Sequence, residues 1–169
     1  MALTMNAQRY AVLDFEASQG IPVMQGDGVL QPPSNATASD YIDLGLPSGT
    51  MWKNSNAKGF YTYDEAVSQF GKRLPSQEQW EELMDKCEWT WTGNGYKVVG
   101  PNGNSIVLPA AGYLSFDDGQ LEGEGDYGGY WSSTPMGAYD AWSLTFGSEG
   151  VGGGVTVRPN TVSVRLVQD

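Results

Sequence analysis

The hydrophobic period of the chain changes once, at Cys87, and that change limits the folds open to it. Before it, Trp80, Leu83, Met84 and Cys87 recur at the three- and four-residue spacing of one helical face. After it, WTWT and YKVVG alternate, with the turn signals NG and PNGN between and behind them, which is the pattern of consecutive hairpins. Two helices are expected ahead of the change. The first opens with Thr62 as N-cap and Glu65 at the reciprocal position, carries Ala66, Val67 and Phe70, and stops at Gly71. The second opens at Ser76, just after Pro75, with Gln79 reciprocal to it. Short strands YIDLGL, ending in a turn at Pro47-Ser48-Gly49, and TMWKN precede them. SIVLPAAGYL is an apolar run expected in the middle of a sheet, and GYWSST, AWSLTF and SVRLV read as the last strands. Helices early and short antiparallel strands late predict an α+β domain.

Residues 1–39 read as separate from residues 40–169. Ala11, Leu13, Phe15 and Ala17 alternate with Val12, Asp14 and Glu16, which suggests one half-buried strand. GDG and QPPSNATAS follow, a turn and a linker composition. A lone strand cannot bury its apolar face by itself. It packs either on the main domain or on another copy of the chain, and both readings are open.

Composition removes several function classes. The 169 residues include nine basic against twenty acidic side chains, a formal net charge of -11. Binding nucleic acid through its phosphates needs a basic face, so no nucleic-acid partner is expected. Docking on anionic lipid is disfavoured on the same ground, and no membrane partner is expected. The chain has no histidine and one cysteine, Cys87. Ser-His-Asp and Cys-His catalysis are therefore excluded, as is an intrachain disulfide. Cys87 lies on the apolar helical stripe and reads as an inert core thiol. The N-terminal MALTMNAQRYAVLDFEAS lacks a basic region followed by a long apolar one, so no signal peptide is expected. Synthesis and residence in a cytoplasm follow, unless the protein leaves as part of an assembled particle such as a virion. Asn35-Ala36-Thr37 fits a glycosylation sequon, which without an export signal reads as chance.

The loop FDDGQLEGEGDYGG is a candidate cation site. Asp117, Asp118, Glu122, Glu124 and Asp126 offer oxygen ligands of the kind calcium takes, but their spacing does not match an EF-hand. A solvated acidic loop is the favoured reading, with no cofactor expected. A glycosidase-like carboxylate pair is conceivable there, and nothing in the spacing pins one. The glycine-rich 147–154 block lacks the Walker lysine and GxGxxG spacing, and is no phosphate cradle. Most of Trp52, Trp80, Trp89, Trp91, Trp131 and Trp142 should lie in the core, whereas Tyr139, beside Asp140 in a turn, is better placed outside.

YIDLGLPSGTMW, RLPSQEQWEELMDKCEWTW, GYKVVGPNGNSIVLPAAGY, GYWSST and a terminal SVRLVQD follow in that order. Over residues 41–169 this order resembles a C-type-lectin-fold domain of gut bacterial surface proteins and phage proteins, related in fold to the formylglycine-generating enzymes. A subset of such domains resembles the variable proteins of diversity-generating retroelements, of which a phage tropism determinant is the best-known kind. The resemblance implies an α+β, C-type lectin-like fold of two helices and short antiparallel strands. It implies a variable region over 131–169 and a diversified binding surface for a cell-surface protein or glycan. An asparagine codon AAC altered at its adenines yields, among others, Tyr, Asp, Ser, Thr, Gly, Val, Ala, Pro or Asn, the residues that crowd positions 138–161. The face it implies comprises Tyr139, Asp140, Ser143, Thr145, Gly147, Glu149, Val155, Thr156, Val157 and Asn160. Alternation puts Trp142, Leu144 and Phe146 toward the core and Ser143 and Thr145 outward. The formylglycine-generating cysteine pair is missing, as are the Glu-Pro-Asn and Gln-Pro-Asp calcium-lectin motifs. The expectation is therefore a binding module and no enzyme. Its small, polar contacts call for multivalency, with residues 1–39 as the oligomerising segment. The rivals are a non-diversified adhesin or structural subunit and a hydrolase built on the acidic loop.

Overall fold

The computed structural model describes residues 23–24, 30–31 and 40–169. The chain divides into two compact units, Met1–Ser39 and Asp40–Asp169. In the first, β1 (Val23–Met24) and β2 (Leu30–Gln31) pair antiparallel, Val23 opposite Gln31. The strand expected over residues 11–17, and the linker beyond Gln31, lie outside the described residues.

The second unit is an α+β domain in which every pair of strands is antiparallel. It has no disulfide, Cys87 being free. β3 (Tyr41–Asp43) and β4 (Met51–Lys53) form a sheet with β13 (Val167–Gln168), in the order β13-β4-β3. The two helices start where their capping residues stand. For α1 (Tyr63–Phe70), the Thr62 hydroxyl accepts from the Glu65 N–H and the Glu65 carboxylate accepts from the Thr62 N–H. Ser76 and Gln79 make the same exchange at the start of α2 (Gln77–Lys86). These boxes satisfy N–H groups that a helix start leaves without intrahelical partners. Tyr63, Ala66 and Phe70 are the buried residues of α1, and Val67, expected on that stripe, is exposed.

A three-stranded meander follows: β5 (Glu88–Trp91), β6 (Gly95–Val99) and β7 (Ser105–Pro109). β7 is an edge strand rather than the central one expected. Its residues alternate, Ile106 and Leu108 buried and Val107 exposed, as one covered face requires. The acidic loop folds back as a small hairpin of β8 (Tyr113–Leu114) and β9 (Leu121–Glu122). The last sheet has the order β10 (Gly128–Met136), β11 (Asp140–Gly147), β12 (Gly150–Val157).

That sheet holds the unit together because both faces of its middle strand, β11, are covered. On one side, Tyr130, Trp142, Leu144 and Phe146 pack into a cluster with Trp52, Trp80 and Leu83. On the other, Trp131 and Ala141 join Tyr63, Ala66, Phe70 and Val162. Two of the tryptophans are also tied by their polar edges: Trp80 Nε1 donates to the Trp131 carbonyl at 3.2 Å, and Trp131 Nε1 to the Tyr61 carbonyl at 2.7 Å. Trp52, Trp80, Trp131 and Trp142 are buried, as expected, while Trp89 and Trp91 are half-buried at the cluster's margin.

Two findings depart from the sequence expectation. The glycine block is a strand: Gly150–Val157 pairs with β11 along its whole length, Gly150 opposite Gly147 and Val157 opposite Asp140. The cause is steric, since a Cβ on Gly153 would lie 2.2 Å from Cζ2 of Trp142. The missing side chain is what lets the indole lie against the strand. Conversely, SVRLV is not one continuous strand. It contributes a bridge between Ser163 and Tyr130, then irregular chain, then Val167 in β13. Its Arg165 is buried and is held by Asn56 Oδ1 at 2.9 Å and by the carbonyls of Lys53 and Val107. Among the described residues no helix is long and apolar enough to cross a membrane.

Candidate functional site

Antiparallel partners share a sheet face, and residues two apart along a strand share one as well. The register therefore sorts seven of the ten candidate residues, Tyr139, Glu149 and Asn160 lying outside the paired strands. Asp140, Val155 and Val157 belong to the Trp142 face, together with Met136, which is opposite Asp140. Ser143, Thr145, Gly147 and Thr156 belong to the Trp131 face. They do not make one surface.

The first group is an exposed apolar end. Met136 pairs with Asp140 and so closes a three-residue loop of Gly137, Ala138 and Tyr139. Tyr139 is 82% exposed, Val155 59% and Val157 39%. Arg158 fixes this loop from below. Its backbone N–H donates to the Tyr139 carbonyl at 3.0 Å, Nε to the Asp140 carbonyl at 3.2 Å and Nη2 to the Gly137 carbonyl at 2.7 Å. The same guanidinium lies 4.7 Å from the centre of the Tyr63 ring, whose hydroxyl donates to the Ser133 carbonyl. The carbonyls of Gly137, Tyr139 and Asp140 are thus held by one residue, and the exposed aromatic side chain stands on a backbone with little freedom. Sequence reasoning passed over Arg158. Its signal was isolation, for no Lys or Arg stands between Lys97 and Arg158.

Of the second group only Thr156 reaches a cleft of about 540 Å³ between the β8–β9 hairpin and the sheet. Tyr113, Glu122, Tyr127, Thr156, Asn160 and Val162 line it. The Tyr113 and Tyr127 rings meet edge to face, 5.7 Å apart, and the Tyr113 hydroxyl donates to Glu122 Oε2. That hydrogen bond to a carboxylate raises the Tyr113 pKa, and burial raises that of Tyr127. Thr156 and Asn160 are the two candidates that meet here. Ser143 is a correction: it is 0% exposed, with its hydroxyl 2.8 Å from that of Thr156. β11 is the middle strand with both faces covered, so its alternation does not mark an outward side there. Thr145 and Gly147 are half-buried, and Glu149 is exposed at the β11–β12 turn.

The acidic loop builds no ligand cage. Among the described residues, no three His, Cys, Asp or Glu side chains gather as metal ligands. Asp118 accepts the Gln120 N–H instead, and Glu122 is bonded to Tyr113. Cys87 is half-buried, and burial pushes its thiol up to about 11, which keeps it protonated and unreactive near neutrality.

The domain is thus a two-helix, antiparallel α+β unit with a pinned aromatic loop at one end of its last sheet and a tyrosine-walled cleft on that sheet's other face. The family model described as Domain of unknown function (DUF8237) matches residues 82–167, from α2 to β13, and the chain belongs to that family. No curated protein and no solved structure matches the chain.

Proposed function

We propose that this protein is a non-enzymatic binding module of C-type lectin-like fold, related to the variable proteins of diversity-generating retroelements, that recognises a cell-surface protein or glycan. The supporting observation is the loop at Gly137–Tyr139, with one strongly exposed aromatic ring on a backbone held by Arg158. Binding energy concentrates in a few rigid aromatic or arginine anchors, and a side chain on a fixed backbone loses less entropy when it binds. Val155 and Val157 supply apolar area on the same end. Diversification on this scaffold falls on Tyr139, Asp140, Glu149, Val155, Val157 and Asn160, and spares Ser143 and Gly153, which have no room for another side chain. Nucleic acid and membrane are not partners, and self-association runs through residues 1–39.

The test is binding of fluorescently labelled full-length protein to a panel of gut bacterial cells, with Tyr139→Ala as the paired variant. Alanine at an anchor position weakens binding by about 30-fold or more, the equivalent of about 2 kcal/mol. Equal binding by a folded Tyr139→Ala variant removes the loop from the account. The burial of Ser143 and the steric need for Gly153 also suit a second reading, a fixed adhesin or structural subunit whose surface is not diversified.

A further inference from the structure

We infer that the cleft between the β8–β9 hairpin and the last sheet receives a cationic side chain, a lysine or arginine of a protein partner, as a second contact beside the Tyr139 loop. This rests on the reading of the chain as a binding module. The cleft's volume, about 540 Å³, falls within the range of about 300–1,000 Å³ typical of small-ligand sites and exceeds what one side-chain head needs. Its chemistry is one-sided. Glu122 is the single charged residue lining it, and one carboxylate oxygen is spent on the Tyr113 hydroxyl while Oε1 makes no bond among the described residues. Tyr113 and Tyr127 form an aromatic wall of the kind that attracts a cation to its negative face. The side-chain amide of Asn160 and the Tyr127 hydroxyl also make no hydrogen bond among the described residues, so they offer acceptor oxygens to an N–H donor.

Among the described residues no cation lines this place. No basic residue occurs between Lys97 and Arg158, a stretch that contributes five of the residues lining the cleft. Arg158 itself is committed to the loop carbonyls and the Tyr63 ring. An anionic ligand finds no counter-charge here, and the net charge of -11 steers cations inward. A neutral sugar suits the tyrosines but leaves the Glu122 charge without a partner, so the cation is the better fit.

Nuclear magnetic resonance of the full-length protein at moderate salt tests this with N-acetyl-arginine amide as the probe. N-acetyl-citrulline amide, its uncharged near-isostere, is the control. The expected result is saturable shifts confined to the amides of Gly123, Tyr127, Thr156 and Asn160 with arginine, at least fivefold stronger than with citrulline. Glu122→Gln is expected to abolish that preference, and Glu78→Gln, a distant carboxylate change on α2, to leave it intact. Shifts of the same amides by methyl glucoside and not by arginine would overturn the cation in favour of a neutral glycan. Arginine shifts spread over the acidic surface and indifferent to Glu122→Gln overturn the site altogether. Either failure, with cell binding still dependent on Tyr139, leaves the module reading standing, whereas loss of that dependence removes the module reading and not the cleft's chemistry.

Discussion

Glycine at position 153 lies against an indole, and glycine at position 152 faces open space. A Cβ on Gly153 meets Trp142 at 2.2 Å, whereas nothing lies within 4 Å of a Cβ on Gly152. Gly153→Ala is therefore expected to cost about 1–3 kcal/mol in urea unfolding, as overpacked sites do, and Gly152→Ala to stay within about 0.5 kcal/mol. Equal effects would mean that the strand does not lie against Trp142. Arg165 gives a second residue-scale outcome. Arg165→Met leaves Asn56 Oδ1 and the Lys53 and Val107 carbonyls without their donor, at a cost of about 3 kcal/mol or more. Neither residue was legible in the sequence. A glycine run reads as a loop until a neighbouring indole is seen to need the space. An arginine in SVRLV reads as the outward half of an alternation until three acceptors are seen around it. Cys87 was legible, because it continues a helical stripe. Its thiol rises from 9.0 to about 11 on burial, so the fold favours the protonated form. That contribution is complete below about pH 9 and is lost as pH rises through about 11. Disulfide-exchange reactivity of the folded protein should climb over that window, while the urea-unfolded chain reaches half-maximal reactivity near pH 9.

The helices carry their own start signals, which is why their beginnings could be read without coordinates. Thr62 with Glu65 and Ser76 with Gln79 each make both reciprocal bonds. Ser76→Ala should cost about 1 kcal/mol, measured by thermal unfolding, because the Gln79 N–H then loses its acceptor. The meander of β5, β6 and β7 was legible for a similar reason, with NG and PNGN turns between alternating runs. The last sheet was half legible. Alternation in β11 placed Trp142, Leu144 and Phe146 on a core side and they are buried there, but a period of two cannot say whether the opposite face is also covered. Here it is, by Trp131 and the residues around α1, and Ser143 is buried with it. The candidate face consequently divides in two: an exposed end at Tyr139, Val155 and Val157, and a cleft reached through Thr156 and Asn160.

At the scale of the whole molecule, two core clusters, one on each side of the last sheet, draw on segments far apart in sequence, and the candidate binding face is confined to what they leave open. β13 pairs with β4, so the end of the second unit is locked to its beginning, and residues from α2 to β13 are the family's shared stretch. A chain with a net charge of -11 repels its own copies, so self-association needs a dedicated segment. On the proposed account that segment is residues 1–39, and deleting it should lower the particle mass by sedimentation to that of one chain. The measurement that bears most directly on the central claim is sequencing of this locus across many cells of one source community. The account predicts substitutions at Tyr139, Asp140, Glu149, Val155, Val157 and Asn160, with Trp142, Ser143 and Gly153 unchanged, since Trp142 and Ser143 are buried and a Cβ on Gly153 would strike the Trp142 ring. A uniform sequence over residues 138–161, or substitutions falling on Ser143 and Gly153 as often as on Tyr139, would contradict it.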